Sequence, residues 1–188
     1  MDALLTAFLA CLLVETGDKG QLLSLALAVR FRRIAPLIAG VAVAAVANAT
    51  ISALAGDLLA PLLSADARAL FLALALLFAG IGMLFPAGRP DLLSGWRIGA
   101  FATATLGLFI LAFGNGAQFL TLAIATRTAD PVLTACGAGL GTIAAWLPVM
   151  VLRQRFFTVL PLRRIRRSGG VILTGIGLIV GLGAIGLL

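Results

Sequence analysis

Near its start the chain reads Val14-Glu15-Thr16-Gly17-Asp18-Lys19-Gly20-Gln21, a polar stretch inside an apolar run from Ala3 to Val29. A run of this length can span a bilayer. Because the stretch lies near the middle of the run, Glu15, Asp18 and Lys19 are placed close to the membrane midplane. Ionisable residues there are costly and usually functional. The alternative is an internal Glu–Lys pair that only locks helices together.

The spacing of these charges predicts a cluster. In a continuous helix, Glu15 shares one face with Asp18 and with Lys19. The two glycines of the stretch, Gly17 and Gly20, are expected to loosen the backbone and to offer carbonyl oxygens. Glu15 is the only Glu and Lys19 the only Lys of the 188 residues.

The composition indicates an all-α integral membrane protein. The chain is 62% hydrophobic and 11% charged, whereas soluble domains are about 45–50% apolar. Its net charge of +7 comes from Arg between apolar runs, so membrane lipids are expected partners and nucleic acid is not. The absence of His removes the commonest ligand of transition metals. The two Cys lie within apolar runs and predict no disulfide framework.

The apolar runs predict six transmembrane helices. The first is interpreted as a retained span, because a signal peptide begins with a basic segment and this chain begins Met-Asp. The second is expected to tilt or break near Pro61. The predicted spans are Ala3–Val29, Ile34–Leu63, Ala67–Phe85, Ile98–Thr126, Pro131–Leu152 and Gly170–Leu188.

The distribution of Arg predicts the orientation of the spans. The connections after spans one, three and five hold 11 of the 13 Arg: Arg30, Arg32, Arg33, Arg89, Arg97, Arg153, Arg155, Arg163, Arg164, Arg166 and Arg167. The other side holds Arg68 and Arg127 with four Asp: Asp2, Asp57, Asp66 and Asp130. The positive-inside rule then places the Arg-rich loops in the cytoplasm and both termini outside. The Arg163–Arg167 cluster is expected at the anionic inner surface.

The two halves of the chain also resemble each other in sequence. Sliding it by 97 residues aligns Gly17–Ala28 with Gly114–Ala125, and a two-residue gap aligns Ala79–Gly82 with Thr174–Gly177. Residues 1–90 and 91–188 are therefore predicted to be two repeats of three spans each. An odd number of spans gives the repeats opposite orientations in the membrane. Inverted repeats of this kind build transporters whose site lies between the halves.

Stripes of small residues support close packing around such a site. Span two carries Gly40, Ala44, Asn48, Ser52 and Gly56 at intervals of four residues. Span five repeats the pattern with Gly137, Gly141 and Ala145. Small residues at this spacing let helix backbones approach closely. Asn48 is open to two interpretations, an interhelical hydrogen bond or a ligand.

The stretch Glu15-Thr16-Gly17-Asp18-Lys19-Gly20-Gln21 resembles the signature of the GDT family of divalent cation/proton antiporters, in the LysE superfamily. That signature is Glu, any residue, Gly, Asp, Lys or Arg, Ser or Thr, and usually Gln, once in each three-span half. The first motif departs only at Gly20, which replaces the hydroxyl residue. The length, the six spans and the inverted repeat are similar to that family over nearly the whole chain.

The second motif is degenerate. It reads Ala112-Phe113-Gly114-Asn115-Gly116-Ala117-Gln118, and only Gly114 and Gln118 keep the pattern. The acids are replaced by Ala112 and Asn115, and the base by Gly116. The two acids and the base are absent together, so no unpartnered charge is left at the midplane, where it would cost several kcal/mol.

The resemblance implies export of Mn²⁺ or Ca²⁺ in exchange for protons, with the cation as substrate and no permanently bound cofactor. It implies that Glu15 and Asp18 are the metal ligands. Oxygen donors around them would be Gln21, Asn115 and Gln118, with Asn48 as a further candidate and Lys19 compensating charge in the empty site. Such oxygen ligands suit hard divalent cations. A proton and a cation that compete for the same carboxylates make an exchanger.

Alternatives to cation export stay open at this stage. The chain could be a non-transporting or half-active subunit that pairs with an intact homologue, or a LysE-type exporter of a small organic solute. An enzyme is not expected, because no nucleophile–base pair lies outside the motif. The expected location is a bacterial inner membrane, where the chain could form a homo- or hetero-oligomer.

Overall fold

The computed structural model describes residues 1–31, 33–153, 155–156 and 160–187, and helices make up the framework of these residues. We number the helices α1 to α8 in chain order. A short 3₁₀ turn at Ala60–Leu62 extends α3. The helices are α1 Asp2–Glu15, α2 Lys19–Arg30, α3 Ile34–Leu59, α4 Ala65–Leu84, α5 Ala100–Ala112, α6 Gly116–Thr128, α7 Pro131–Leu152 and α8 Leu162–Ala184.

Four of these helices, α3, α4, α7 and α8, are long and apolar enough to cross a membrane by themselves. A fifth span is available if α5 and α6, which meet at an angle of 70°, are taken together. The chain is thus an integral membrane protein built from apolar helices. Near Pro61, where the second span was expected to tilt or break, the α-helix passes after Leu59 into the 3₁₀ turn that carries Pro61.

Two predicted spans are not continuous helices. The run Ala3–Val29 is divided into α1 and α2 around Thr16–Asp18, and the run Ile98–Thr126 is divided into α5 and α6 around Phe113–Asn115. In both cases the break falls on the motif. The cause is local, because Gly17 and Gly114 each adopt φ +75°, a left-handed conformation that ends a helix and suits glycine.

The sixth predicted span begins too late in the sequence. It was placed at Gly170–Leu188, whereas α8 begins at Leu162 and ends at Ala184. Pro161 precedes the helix and sets its start. The cluster Arg163–Arg167 is therefore helical and not a loop. Arg32 of the first Arg-rich loop and Leu188 at the end of the predicted span lie outside the described residues.

Small residues bring the helices together, as the stripes predicted. α1 packs along α7, α4 along α8, and α3 against α5, α6 and α7. A Cβ placed on Gly40 would lie 2.6 Å from the carbonyl oxygen of Phe101, and one on Gly137 would collide with the carbonyl oxygen of Leu4. No side chain fits at these crossings, so the helix backbones are in contact there.

The helix starts repeat along the chain. α2, α3 and α4 begin at Lys19, Ile34 and Ala65, and α6, α7 and α8 each begin 97 residues later. The helix contacts follow the same interval without the two-residue gap of the sequence alignment. A Cβ on Gly80 would lie 2.9 Å from the carbonyl oxygen of Gly170, and one on Gly177 would lie 3.1 Å from that of Ala73. Adding 97 to 73 and to 80 gives 170 and 177, so Gly80 corresponds to Gly177.

The outward faces of the helices are apolar. Large side chains exposed there, each 57–74% exposed, include Leu9, Leu58, Phe78, Ile110 and Ile179. A water-soluble protein rarely exposes so much continuous apolar surface. These faces are suited to contact with lipid tails.

Candidate functional site

The first motif lies at the end of α1 and the start of α2. The amide N–H of Gly17 donates to Oε1 of Gln21 at 2.8 Å, which braces the left-handed residue. Asp18 is the N-cap residue of α2, yet its side chain forms no capping hydrogen bond. Its carboxylate is therefore available for another partner.

The second motif has the same backbone path. Gly114 donates its amide N–H to Oε1 of Gln118, and Asn115 is the N-cap residue of α6. The N-cap angles are φ −87° and ψ 175° at Asp18 and φ −77° and ψ 171° at Asn115. Unlike Asp18, Asn115 does cap its helix, since its Oδ1 accepts from the amide of Gln118 at 2.8 Å.

Glu15 is the buried acid between the two motifs, with 2% of its surface exposed. Its Oε1 accepts a hydrogen bond from Nδ2 of Asn115 at 2.8 Å, and its Oε2 accepts one from Nε1 of Trp146 at 2.9 Å. In the described part of the chain no basic side chain forms an ion pair with Glu15. The carboxylate is thus held by neutral donors from α6 and α7.

A small cavity of about 20 Å³ lies beside Glu15. One water molecule needs about 10–15 Å³ of such space, so the small cavity has room for one water or one ion. Oxygen-bearing side chains line it together with Cys11, alanines and Trp146. These side chains are Glu15, Asn48, Ser52, Asn115, Gln118, Thr121 and Thr142.

Asn48 and Gln118 form the far wall of the small cavity. Nε2 of Gln118 donates to Oδ1 of Asn48 at 3.2 Å, and Nδ2 of Asn48 donates to the carbonyl of Phe109 at 3.3 Å. Three of the residues selected from the sequence, Glu15, Asn115 and Gln118, therefore line one cavity with Asn48. Asn48 makes an interhelical hydrogen bond and also faces the cavity.

Asp18 does not line the small cavity. It faces a second, wide cavity of about 540 Å³, which is also lined by Lys19, Asn115 and Arg166. The helix break explains the separation, because Glu15 and Asp18 share a face only in a continuous helix. Asn115 borders both cavities and separates the two acids of the first motif.

Lys19 and Gln21 lie away from Glu15. Lys19 is exposed and its Nζ approaches Gly88, while Nε2 of Gln21 donates to the carbonyl oxygen of Ala145 at 2.6 Å. Gln21 thus braces the break and links it to α7. The basic side chain nearest Asp18 is Arg166, with Nη1 3.6 Å from Oδ1.

Sequence reasoning missed Trp146 and Arg166. The sequence signal for Trp146 was the glycine at position 20, where the family has Ser or Thr. A Cβ at Gly20 would lie 2.7 Å from Cε2 of the Trp146 ring, so a large side chain needs this space. Arg166 shares a face of α8 with Gly169, Gly170 and Leu173. The sequence signal for Arg166 was its position, because it falls at helical spacing before the glycines of the buried face of α8.

The donor set suits a hard cation. Within residues 1–31, 33–153, 155–156 and 160–187 no group of three or more His, Cys, Asp or Glu could hold a metal. A cation next to Glu15 would be bound by one carboxylate with amide and hydroxyl oxygens. Mg²⁺, Ca²⁺ and Mn²⁺ accept such ligands, whereas Zn²⁺ and Cu⁺ favour His and Cys.

Comparisons with known proteins agree with this chemistry. A family model described as "Divalent cation/proton antiporter GDT1" matches residues 3–91, which contain α1 to α4. A protein from Vibrio cholerae named "Putative manganese exporter" is 31% identical over 172 residues, which is 89% of this chain and 84% of that protein. No solved structure matches the chain. The motif resemblance is confirmed: the chain belongs to the divalent cation/proton antiporter GDT1 family and is a membrane transporter of divalent cations.

Proposed function

We propose that the chain exports Mn²⁺ from the cytoplasm in exchange for protons, and that Glu15 binds both in turn. The observation that carries this proposal is the buried Glu15 carboxylate in a cavity large enough for one ion. Only neutral groups donate to it, through Asn115 and Trp146. A carboxylate in such surroundings is stabilised by binding either a proton or a cation.

Binding of a cation requires the neutral donors to turn. The N–H groups of Asn115 and Trp146 point at Glu15 and would repel a positive ion. Rotation of the Asn115 amide would present Oδ1 to the ion instead and would release its cap on α6. Asn48 also lines this cavity. The side chains then supply carboxylate and amide oxygens in place of the hydration shell.

The name of the Vibrio cholerae relative supports Mn²⁺ over Ca²⁺. The number of oxygen donors around Glu15 supports the same choice. Ca²⁺ takes roughly six to eight oxygen ligands at distances of about 2.3–2.6 Å, which is more than one carboxylate and a few neutral groups provide. A smaller cation fits the donors around Glu15 better.

Two inverted repeats, residues 1–90 and 91–188, are the proposed architecture, with α1–α2 and α5–α6 as broken spans in a total of six. The support comes from contacts that exchange partners between halves. Gln21 of the first half donates a hydrogen bond to residue 145 of the second half, and Gln118 of the second half donates one to residue 48 of the first. Both donors and both acceptors are 97 residues apart. Exchange of this kind is what a two-fold axis between the halves produces.

The proposed location is a bacterial inner membrane with both termini outside. The Arg-rich connections support a cytoplasmic position for the α4–α5 segment. Arg30 at the end of α2 donates to carbonyl oxygens of Leu93 and Trp96 in that segment. The wide cavity is lined by the adjoining end of α4 at Gly82 and Met83, so it would open towards the cytoplasm, as export requires.

Transport into everted membrane vesicles tests the proposal. With an acidified lumen, added Mn²⁺ should accumulate inside and raise the lumenal pH, measured with a pH-sensitive dye, more strongly than Ca²⁺ or Mg²⁺. Glu15→Gln should abolish both signals at equal amounts of folded protein, because the amide cannot exchange a proton. Asp57→Asn, a half-buried Asp at the end of α3, is the matched control and should transport normally.

Three outcomes would contradict the proposal. Mn²⁺ flux that ignores the pH gradient indicates a channel or a uniporter. Flux that persists in Glu15→Gln removes Glu15 from the site. Transport that needs co-expression of a homologue with two intact motifs would favour the half-active subunit instead.

A further inference from the structure

Arg166 lies across the break between α1 and α2, far from either motif in sequence. It is 9% exposed, an unusual burial for an arginine. Its Cδ would lie 2.8 Å from a Cβ added at Gly17. The aliphatic part of the side chain thus covers the left-handed glycine of the first motif.

The guanidinium of Arg166 is only partly satisfied. Nη2 donates to the carbonyl oxygens of Gly82 and Phe85, each at 3.3 Å. Nη1 is buried and has no hydrogen-bond partner among the described residues. It lies 3.6 Å from Oδ1 of Asp18, beyond the usual range for a hydrogen bond. Arg166 therefore neutralises Asp18 without binding it tightly.

Asp18 and Arg166 face the wide cavity together with Lys19 and Asn115. Asp18, Lys19 and Arg166 give this cavity a net charge of +1, which disfavours a divalent cation. Displacing Arg166 would leave Asp18 free to bind the ion. Asn115 also lines the wide cavity and contacts Glu15, so an ion bound at Asp18 would share a cavity with the residue that leads to the small cavity.

The positions related to these three by the 97-residue interval carry no charge. Positions 97 residues from Asp18, Lys19 and Arg166 hold Asn115, Gly116 and Ala69. Thus the motif that keeps its acid, Asp18, is paired with Arg166. The motif in which Asn115 replaces the acid corresponds to a small apolar residue, Ala69. This association is expected if Arg166 acts on Asp18.

We propose that Arg166 is a tethered cation that occupies Asp18 while the wide cavity is empty, and that an arriving divalent cation displaces it. Asp18 is then a first binding site ahead of Glu15, and Arg166 sets its affinity. Since Arg166 also holds α8 to the end of α4, its displacement loosens this helix contact when the ion binds. The inference rests on the proposed cation transport.

Binding of Mn²⁺ to purified protein, measured by calorimetry, tests the inference without transport. Arg166→Gln and Arg166→Met, the latter keeping the apolar cover of Gly17, should each lower the Kd about tenfold. Arg167→Gln removes the same charge from the exposed neighbour and should change the Kd less than twofold. In an Asp18→Asn background the effect of Arg166→Gln should disappear, since the partner is gone.

Thermal melting in detergent shows which variants are folded and makes the failures distinguishable. A Kd that is unchanged or higher in a folded Arg166 variant overturns the inference and leaves the proposed function standing. An equal effect of Arg166→Gln with and without Asp18 also overturns it. If the wild-type protein binds neither Mn²⁺ nor Ca²⁺, the proposed function fails and the inference fails with it.

Discussion

At the scale of single residues, the site depends on a pair that is distant in sequence. Gly20 lacks a side chain, and the indole of Trp146 fills the space next to it. From there Nε1 reaches Oε2 of Glu15. The one departure of the first motif from the family signature thus makes room for a hydrogen bond to the central carboxylate.

Gly20→Ser, which restores the family's hydroxyl residue, should destabilise the protein. Its Cβ would collide with the Trp146 ring, and overpacking of this kind costs about 1–3 kcal/mol. In a Trp146→Ala background the same substitution should cost little, because the ring is absent. Thermal melting of the two single variants and the double variant measures this coupling.

Gly175→Ser is the control for that experiment, because nothing lies within 4 Å of a Cβ at Gly175. It should leave the melting temperature nearly unchanged. Additive effects of Gly20→Ser and Trp146→Ala would show that Trp146 does not determine the residue at position 20.

At the scale of helices, the two broken runs matter most. The sequence predicted where apolar helices lie, because hydropathy and length report burial in a bilayer. It did not predict that Glu15 and Lys19 would lie on two helices and line different cavities, because a helix-face argument assumes an unbroken helix. Arg166 could not be placed from the sequence either, since its contact with Asp18 joins α8 to α2 through packing of distant segments.

Gly114→Ala should destabilise the break between α5 and α6. Gly114 has φ +75° and open space around its Cβ position, so strain is the only penalty and amounts to about 1–2 kcal/mol. Gly175→Ala, inside α8 with similar free space, should instead stabilise by about 0.5–1 kcal/mol. Melting temperatures of the two variants should move in opposite directions, and a fall in both would contradict the strain argument.

At the scale of the whole molecule, residues 1–90 and 91–188 share three helix starts at an interval of 97 residues, yet they contribute different chemistry to one site. The first half contributes Glu15 and Asp18, and the second contributes Asn115, Trp146 and Arg166. The repeat in the sequence agrees with the interval of 97 residues at which these helix starts recur. It could not predict this division of roles, because corresponding positions no longer hold corresponding residues.

Cysteine labelling in intact cells tests the proposed orientation of the whole chain. Cys11 and the exposed Cys136 are first replaced by Ser. Ser94→Cys, in the connection between α4 and α5, should resist a membrane-impermeant maleimide, and Ser64→Cys, before α4, should react. Both positions are exposed, so access depends on the side of the membrane. Labelling of Ser94→Cys from outside would contradict the proposed orientation and, with it, the proposed direction of transport.

The hydrogen bond between Trp146 and Glu15 also gives the protein an optical probe of its own site. The chain has no Tyr and two Trp, and Trp96 lies apart from the site in the connection between α4 and α5. Replacing Trp96 by Phe would leave one indole as the source of the tryptophan fluorescence. Its emission wavelength and intensity respond to the charge and polarity next to the ring, so the spectrum would register each change of occupant at Glu15 without an added dye.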